Sequence, residues 1–355
     1  MIDPHVHCRD WNQRHKETIE HALSVADRIG LSGIFDMPNT DPAIDSRELI
    51  ERRLKDAEQV RSPVFYGLYA GLTSRPDQIR EVVQAWKDLF PRDEKMVGVI
   101  GLKMFAGHSV GSLGIIDEDE QRAVYQTLTQ AGYNGVLGVH CEKESLLKPE
   151  LWDPSHPETH CDARPPEAEY ESVRDQIRFA EESGFPGNLH VLHTSYPESV
   201  KLVQTARKKG NVRISCGATP HHSRLNSGMM ETDEQGILYK VNPPLRELSS
   251  SVAILSLLKE GLIDFVETDH APHTLTEKNS GKYMSGFSGM PYYPHFLDFL
   301  REEARFPESR IVEITHRNIN KIFGLKLPQR HLNPDKNLSG EYEVDVYKGV
   351  RENAN

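Results

Sequence analysis

The chain has few cysteines and no long apolar run, and these absences exclude several classes of protein. Its 355 residues include four cysteines, which lie far apart without a Cys-X-X-Cys pair, so neither a disulfide framework nor a zinc ribbon is predicted. No stretch approaches the roughly 20 apolar residues that span a bilayer. The N-terminus, Met1 to His5, lacks the basic and apolar regions of a signal peptide. We therefore expect a protein of the reducing cytoplasm, with no membrane partner.

Positive charge is also scarce. The formal net charge is -11, with 42 lysines and arginines against 53 acidic residues. A protein that binds nucleic acid or an anionic membrane needs a basic face, so this balance argues against both partners and is typical of a well-solvated surface. The 17 histidines are more informative, because several of them end apolar runs.

Short apolar runs alternate with amphipathic stretches up to about residue 325. The runs predict eight strands, at Ile2–His7, Gly33–Asn39, Val64–Gly71, Val99–Phe105, Val136–Glu142, Leu189–Ser195, Val212–Ala218 and Asp264–His270. Helical patterns lie between them, at Thr18–Ile29, Arg47–Val60, Pro76–Leu89, Glu118–Ala131, Glu167–Ser183, Pro197–Lys209 and Ser251–Glu260. Parallel neighbours need a crossover helix, so this succession favours an α/β fold, a TIM-type (β/α)8 barrel, over a doubly wound open sheet. We assign residues 1–325 to the barrel and residues 326–355 to a C-terminal extension.

Polar side chains at the strand ends could hold a metal. His5 and His7 are two residues apart on the first strand, so both point to the same side. The others end the fourth, fifth, sixth and eighth strands: Lys103, His140, His193 and Asp269. The carboxyl ends of barrel strands meet at one rim, so these residues predict a hydrolytic zinc site with open positions for water.

Taken singly, these residues have structural explanations. A lone His-X-His pair or a buried lysine is as easily a packing or salt-bridging feature. His190, three residues before His193, faces the other side of its strand and is predicted to be packed or hydrogen-bonded. An ammonium repels divalent cations, so Lys103 can join the site only after losing its proton, which burial in a positive field favours. It could then take up carbon dioxide and bridge two metals as a carbamate, and the neighbouring histidines favour this interpretation.

The motifs together resemble the dihydroorotase branch of the amidohydrolase superfamily, over nearly the whole barrel. His5-Val-His7-Cys-Arg9 resembles that family's first metal motif with its substrate arginine, and Met37-Pro38-Asn39-Thr40 resembles the second-strand substrate motif. Gly101-Leu-Lys103 is similar to the family's carboxylated-lysine segment, and His140 and His193 are similar to its fifth- and sixth-strand ligands. Lys240-Val-Asn242-Pro-Pro-Leu-Arg246 resembles its seventh-strand loop, and Thr268-Asp269-His270-Ala-Pro-His273 resembles its eighth-strand motif. The His-X-His pair is common to the superfamily, but the combination is specific.

The resemblance implies a metal-dependent hydrolase of cyclic amides. It implies two zinc ions per subunit, bridged by carboxylated Lys103 and a hydroxide. The first zinc is held by His5, His7, Lys103 and Asp269, and the second by Lys103, His140 and His193. Asp269 is the implied proton carrier, and the implied substrate-binding residues are Arg9, Asn39, Asn242 and His273. The implied reaction is the reversible cyclisation of N-carbamoyl-L-aspartate to L-dihydroorotate in pyrimidine synthesis, by a homodimer or in association with another enzyme of that pathway.

The chain departs from the resemblance at its ends. Many relatives carry a strand-rich segment before the first barrel strand and complete it at the C-terminus. Here Met1 adjoins the metal motif and the tail shows no clear return, so we expect little or no accessory β domain, either because this is a barrel-only form or because the chain is incomplete. His221 and His222 resemble a Pro-His-His element of relatives, and we expect them to support the seventh loop rather than bind metal.

Three alternatives are open at this point. Hydantoinases, dihydropyrimidinases and allantoinases share the metal site, but Arg9 suits a substrate carboxylate, which simple hydantoins lack. A Schiff-base aldolase with Lys103 as its nucleophile would not need the rim histidines. A non-catalytic barrel that binds a partner enzyme is disfavoured, because every expected ligand position is filled.

Overall fold

The computed structural model describes residues 1–92, 95–109, 111–232, 235–330, 334–338 and 340–352. Eight strands follow in sequence order: β1 Ile2–Val6, β2 Gly33–Asp36, β3 Phe65–Gly71, β4 Val97–Ala106, β5 Val136–Cys141, β6 Asn188–Val191, β7 Arg213–Ala218 and β8 Phe265–Val266. Each pairs in parallel with the next. A parallel bridge from Val6 to His270 joins β1 to the segment after β8. The predicted (β/α)8 barrel is confirmed.

Helices surround the strands. Those within the described ranges are α1 Ile19–Arg28, α2 Arg47–Gln59, α3 Pro76–Leu89, α4 Glu118–Gln130, α5 Thr159–Ala163, α6 Pro166–Ser183, α7 Pro197–Lys209, α8 Pro220–Arg224, α9 Gly228–Thr232, α10 Leu248–Glu260, α11 Leu275–Asn279, α12 Tyr293–Glu302, α13 Glu308–Val312, α14 Asn318–Phe323 and α15 Lys348–Glu352. Caps set several of their ends: the side chains of Thr18 and Ser46 accept backbone N–H groups at the starts of α1 and α2. The seven predicted helices are all present, with ends that differ by at most three residues.

Three strands are at least three residues shorter than the sequence predicts. β2 ends at Asp36, so the predicted end at Asn39 was wrong. β6 and β8 each end four residues before the predicted end, so the predicted ends at Ser195 and His270 were wrong. Beyond these strands His193 and Asp269 have positive φ angles of 37° and 49°, which strand backbone does not adopt. The backbone N–H of His193 donates to the Glu267 side chain, and it is the N–H of Thr194 that donates to Gly217 O of β7. Both predicted ligands therefore lie in turns at the barrel mouth.

The barrel interior is apolar at its amino-terminal end. The inward-facing side chains there are all buried: Ile2, Phe35, Phe65, Tyr69, Ile100, Val136 and Phe265. Helix α14 closes this end, since the Phe323 ring lies 4.9 Å from that of Phe35. Gly67 makes room for the same layer, because a Cβ at its position would lie 2.7 Å from Phe35. The apolar layer leaves the carboxyl end of the barrel for polar side chains.

A buried ion pair joins β2 to α2. Asp36 accepts hydrogen bonds from Arg53 Nη2 at 2.7 Å and from the Tyr66 hydroxyl at 2.5 Å. Its other oxygen accepts the backbone N–H of Cys8 at 2.8 Å. The side chains of Asp36 and Arg53 are fully buried. The contact with Cys8 fixes the chain where β1 leads into Arg9.

The C-terminal segment packs on the outside of the barrel. The Tyr347 ring stacks on Tyr292, with centroids 3.9 Å apart. Residues 331–333, 339 and 353–355 of the predicted extension lie outside the described ranges. The extension over 326–355 and the scarcity of accessory β structure remain predictions. Within the described ranges, every helix is too short or too polar to cross a bilayer.

Replacing Arg53 should test the buried ion pair. We expect Arg53→Met to lower the free energy of unfolding by about 3–5 kcal/mol, because it leaves the Asp36 carboxylate buried without its cation. Urea unfolding monitored by circular dichroism measures the change. The control is Arg80→Met, which removes an exposed pair with Asp77 and should leave the unfolding midpoint unchanged. Equal midpoints for both variants would contradict a structural role for the Asp36–Arg53 pair.

Candidate metal centre

A cavity lies at the carboxyl end of the barrel. Nine of the ten residues predicted for the site line it: His5, His7, Arg9, Asn39, Lys103, His140, His193, Asn242 and Asp269. The tenth, His273, lies behind Arg9, with its Nε2 3.2 Å from Arg9 Nη2. The structure thus brings together residues that are scattered along the chain, because successive strand ends meet at one mouth.

One group of metal-ligand atoms centres on Asp269. Ligand atoms of His5, His7 and Asp269 all lie within 4.8 Å of one another. Asp269 Oδ1 is 3.2 Å from His5 Nε2 and 3.1 Å from His7 Nε2. Burial lowers the pKa of His5 to about 4, although the nearby Asp269 and Glu267 carboxylates oppose the shift. The imidazole of His5 is therefore neutral at pH 7 and can offer a lone pair to a metal.

A second pair of imidazoles adjoins this group. His140 Nδ1 lies 3.1 Å from His193 Nε2, and the two rings are nearly perpendicular. The ring of His193 is also 5.1 Å from that of His5. Burial is the main cause that lowers the pKa of both His140 and His193, so these side chains too are neutral. They form a second set of nitrogen atoms at a spacing that suits a shared cation.

Lys103 lies buried among these side chains. It is 1% exposed, and its Nζ stands 4.4 Å from the centroid of the Phe105 ring. Burial lowers its pKa to about 7, against the attraction of the Asp269 and Glu267 carboxylates. A large fraction of the amine is then uncharged at neutral pH and can react with carbon dioxide. Imidazoles, a carboxylate and a neutral amine form a donor set that fits a hydrolytic zinc centre.

Two carboxylates that the sequence analysis did not single out lie behind the ligands. Glu142 Oε2 is 2.9 Å from His140 Nε2 and accepts a hydrogen bond from Arg164 Nη2 at 2.6 Å. Glu267 Oε2 lies 3.6 Å from His5 Nδ1. Each stands two positions from a residue predicted as a ligand, so the alternation of side chains along a strand could have indicated both. Carboxylates in this position orient metal-binding imidazoles.

Arg9 forms another part of the cavity wall. Its backbone has a φ of 48°, and the turn that follows is held by Asp10, whose carboxylate accepts the backbone N–H of Ile19 at the start of α1. The Arg9 side chain is 2% exposed; its Nε donates to Pro272 O at 3.3 Å. Within the described ranges no carboxylate lies at ion-pair distance from it. Burial lowers the pKa of Arg9 to about 10, so it is still a cation at pH 7. A buried cation without a counterion is costly, and one beside a cavity indicates an anionic ligand.

Neighbouring groups hold the other predicted substrate residues. Asn242 Oδ1 lies 2.9 Å from His160 Nε2, and His273 Nδ1 lies 3.3 Å from Glu277 Oε2. Burial, with the charge of Arg9, lowers the pKa of His273 to about 3. His273 is thus a neutral hydrogen-bonding group beside the guanidinium.

The histidines predicted to be structural lie apart from the cavity lining. His190 is fully buried and its Nδ1 is 2.9 Å from Ser215 Oγ, which confirms the predicted hydrogen-bonded role. Its ring stacks on Phe265 inside the barrel, so the prediction that it faces the side opposite His193 was wrong, because His193 lies in a left-handed turn where strand alternation does not hold. His222 Nε2 is 3.0 Å from Pro243 O, a contact to the loop that contains Asn242. His221 packs between the rings of His222 and Phe287.

Known proteins resemble the chain in sequence and in fold. No family model matches it. It is 30% identical to the dihydroorotase of Listeria monocytogenes serotype 4a over 312 residues, 84% of this chain and 67% of that protein. It is 30% identical to the dihydroorotase of Halobacterium salinarum, over 92% of this chain and 72% of that protein. It is 34% identical to the dihydroorotase of Brevibacillus brevis, over 79% of this chain and 62% of that protein. The chain therefore spans about two thirds of the length of these relatives.

Among solved structures, the L-hydantoinase (dihydropyrimidinase) from Arthrobacter aurescens superposes with a TM-score of 0.80 at 24% identity, covering 95% of this chain and 73% of the other. The D-hydantoinase (dihydropyrimidinase) from Thermus sp. has a TM-score of 0.76 at 23% identity, with 94% and 72% coverage. At such identities the likeness concerns the fold alone.

Replacing a histidine of the Asp269 group should weaken zinc binding. We expect His7→Ala to lower the zinc affinity by more than the roughly 10- to 100-fold loss that follows removal of a residue behind a ligand, because it removes a donor atom itself. Competition with a chromophoric chelator measures the affinity. The control is His295→Ala, whose Nε2 instead lies near Lys336 O on the outside of the barrel; it should bind zinc as the wild type does. Unchanged affinity in His7→Ala would remove His7 from the metal centre.

Proposed function

Because the chain belongs to the dihydroorotase family, which makes it a hydrolase of cyclic amides, we propose that it catalyses the reversible conversion of L-dihydroorotate to N-carbamoyl-L-aspartate. The observation that carries the proposal is the buried guanidinium of Arg9 beside the cavity, which has no carboxylate at ion-pair distance among the described residues. A ring that bears a carboxylate would supply the missing counterion through paired charge-assisted hydrogen bonds. A simple hydantoin would leave Arg9 unpaired.

We also propose the metal ligands. His5, His7, Lys103 and Asp269 would hold one zinc ion, and His140 and His193 would hold a second, with carboxylated Lys103 shared between them. Bound zinc supplies two effects: it lowers the pKa of water towards ~7 and polarises a carbonyl group. The arrangement of ligand atoms around Asp269 and around the His140–His193 pair supports this assignment.

The protein's own residues position the substrate and move the proton. Arg9, with His273 beside it, would bind the ring carboxylate, while Asn39 and Asn242 would hydrogen-bond the polar edge of the ring. Asp269 would accept the proton of the attacking water and deliver it to the ring nitrogen as the amide bond breaks. The water oxygen remains on the carbonyl carbon, which becomes the new carboxyl group and releases its remaining proton to solvent as it ionises to the carboxylate. Burial, which raises the pKa of Asp269, favours this transient protonation.

A small-molecule substrate is consistent with the net charge of -11, which does not suit nucleic acid. The cytoplasmic location, the homodimer and the association with another enzyme of pyrimidine synthesis are predictions from the sequence.

A substrate panel tests the activity. The zinc-loaded protein should hydrolyse L-dihydroorotate with a higher kcat/KM than hydantoin, dihydrouracil or allantoin, because only dihydroorotate carries a ring carboxylate for Arg9. Ring opening can be followed by ultraviolet absorbance. A preference for hydantoin or dihydrouracil would contradict the proposal and favour a hydantoinase.

Arg9→Met should impair dihydroorotate turnover without removing the metal. Hydrogen bonds to charged groups contribute about 1.5–3 kcal/mol, so we expect kcat/KM to fall roughly 10- to 100-fold. Zinc content, measured by atomic emission, should equal that of the wild type, and residual hydantoin hydrolysis should change little. The control Arg301→Met loses only exposed pairs with Glu308 and Asp298 on the outer surface and should retain full activity. Unchanged dihydroorotate kinetics in Arg9→Met would exclude the carboxylate contact.

A further inference from the structure

The Glu267 side chain is buried beneath the cavity and has no part in the proposed reaction. It follows β8, and its backbone N–H donates to Ala218 O at 3.1 Å. The side chain is 0% exposed. Its carboxylate oxygens face different strands: Oε1 accepts the backbone N–H of His193, and Oε2 lies 3.6 Å from His5 Nδ1. One carboxylate therefore contacts residues at the ends of β1 and β6.

Neighbouring residues fix this carboxylate in place. Glu267 Oε2 is also 3.6 Å from His190 Nε2. His190 is itself held by Ser215 Oγ and by stacking on Phe265, with ring centroids 4.5 Å apart. Gly217 of β7 leaves the necessary room, because a Cβ at its position would collide with Glu267 Oε1. The carboxylate cannot move without disturbing several strands.

His5 needs such a partner to bind a metal in one orientation. A neutral imidazole carries a hydrogen on one ring nitrogen and a lone pair on the other. His5 Nε2 is the nitrogen that faces Asp269 Oδ1, at 3.2 Å. For Nε2 to offer its lone pair to a metal ion, the hydrogen has to be on Nδ1. The 3.6 Å between His5 Nδ1 and Glu267 Oε2 is longer than a direct hydrogen bond. The carboxylate therefore attracts the Nδ1–H group electrostatically or through one bridging water.

His193 presents a related requirement. Its φ of 37° lies in the left-handed region, which is strained for a residue with a side chain. The neighbouring strand does not take its backbone N–H, and Glu267 Oε1 accepts it instead. The hydrogen bond from His193 to Glu267 therefore stabilises the turn that presents the imidazole to the cavity.

We propose that Glu267 is a positioning residue for the metal centre, which keeps His5 Nδ1 turned away from the cavity and anchors the backbone of His193. One carboxylate thereby orients a ligand of each proposed metal. The inference rests on the metal centre proposed above. Within the described ranges Glu267 stands outside the ligand group around Asp269, so it acts through the histidines and is not itself a ligand.

The principal test is Glu267→Gln in the full chain. The amide keeps the size of the side chain but loses the charge that attracts His5 Nδ1–H. We expect the zinc dissociation constant, from chelator competition, to rise roughly 10- to 100-fold. The visible absorption bands of the cobalt-substituted protein should also shift, because they report ligand geometry. Wild-type affinity together with a wild-type cobalt spectrum would overturn the inference.

The matched control is Glu169→Gln. Glu169 is also buried, and it accepts the backbone N–H of Ser195 at 3.1 Å, two residues beyond His193, but it contacts no proposed ligand. This variant should lower the unfolding midpoint while leaving the zinc affinity and the cobalt spectrum unchanged. An equal loss of zinc affinity in both variants would assign the effect to general destabilisation and contradict the positioning role.

A second variant, Gly217→Ala, tests the same contact even if Glu267→Gln does not fold. Gly217→Ala retains the carboxylate but displaces it, so it should also weaken zinc binding and shift the cobalt bands. The two substitutions act through the same contact, so the double variant should lose little more affinity than either single one. Losses that add fully would contradict a shared mechanism. If the wild type binds neither zinc nor cobalt, the proposed metal centre fails, whereas failure of Glu267 alone leaves that centre intact.

Discussion

The closure of the barrel between its first and last strands is the contact on which the site depends. The backbone N–H of His7 donates to His270 O at 2.8 Å, and the buried Asp3 carboxylate accepts the Thr268 hydroxyl at 2.6 Å. These bonds join residues at opposite ends of the barrel sequence. They bring Asp269 Oδ1 between the Nε2 atoms of His5 and His7. Every other proposed ligand is placed by its strand relative to this junction.

Burial determines the chemistry that the junction can support. The apolar layer below the site keeps water out of the barrel interior, so an ionisable group at the mouth tends to lose its charge unless a partner stabilises it, and Arg9 is the exception. His5 and Lys103 tend to the neutral state, which is the state that binds a metal or carbon dioxide. Glu142 retains its charge beside Arg164. Arg9 retains its charge without a carboxylate at ion-pair distance among the described residues, which is why it points to an anionic substrate.

The accuracy of the sequence-based prediction differs between elements for a physical reason. The predicted helix ends were close to the observed ones, because helix ends follow local signals such as the side-chain cap of Thr18. The predicted ends of β6 and β8 were wrong, because His193 and Asp269 leave the sheet in left-handed turns that distant contacts stabilise. Nothing near His193 in sequence shows that Glu267, 74 residues away, accepts its backbone N–H. Glu142 differs, because it stands two positions after His140 and the alternation of side chains along a strand indicates it.

The amino-acid sequence by itself determined the order of strands and helices, the barrel and the set of residues that converge on its mouth. Periodic burial and strand-end chemistry are local properties, and the topology of a parallel barrel carries them to one rim. Only the tertiary structure decided which nitrogen of His5 faces Asp269, that Arg9 has no ion-pair partner among the described residues, and that one carboxylate serves both His5 and His193. These facts depend on side chains that meet across the barrel, and such distances are not encoded in any short segment of the chain.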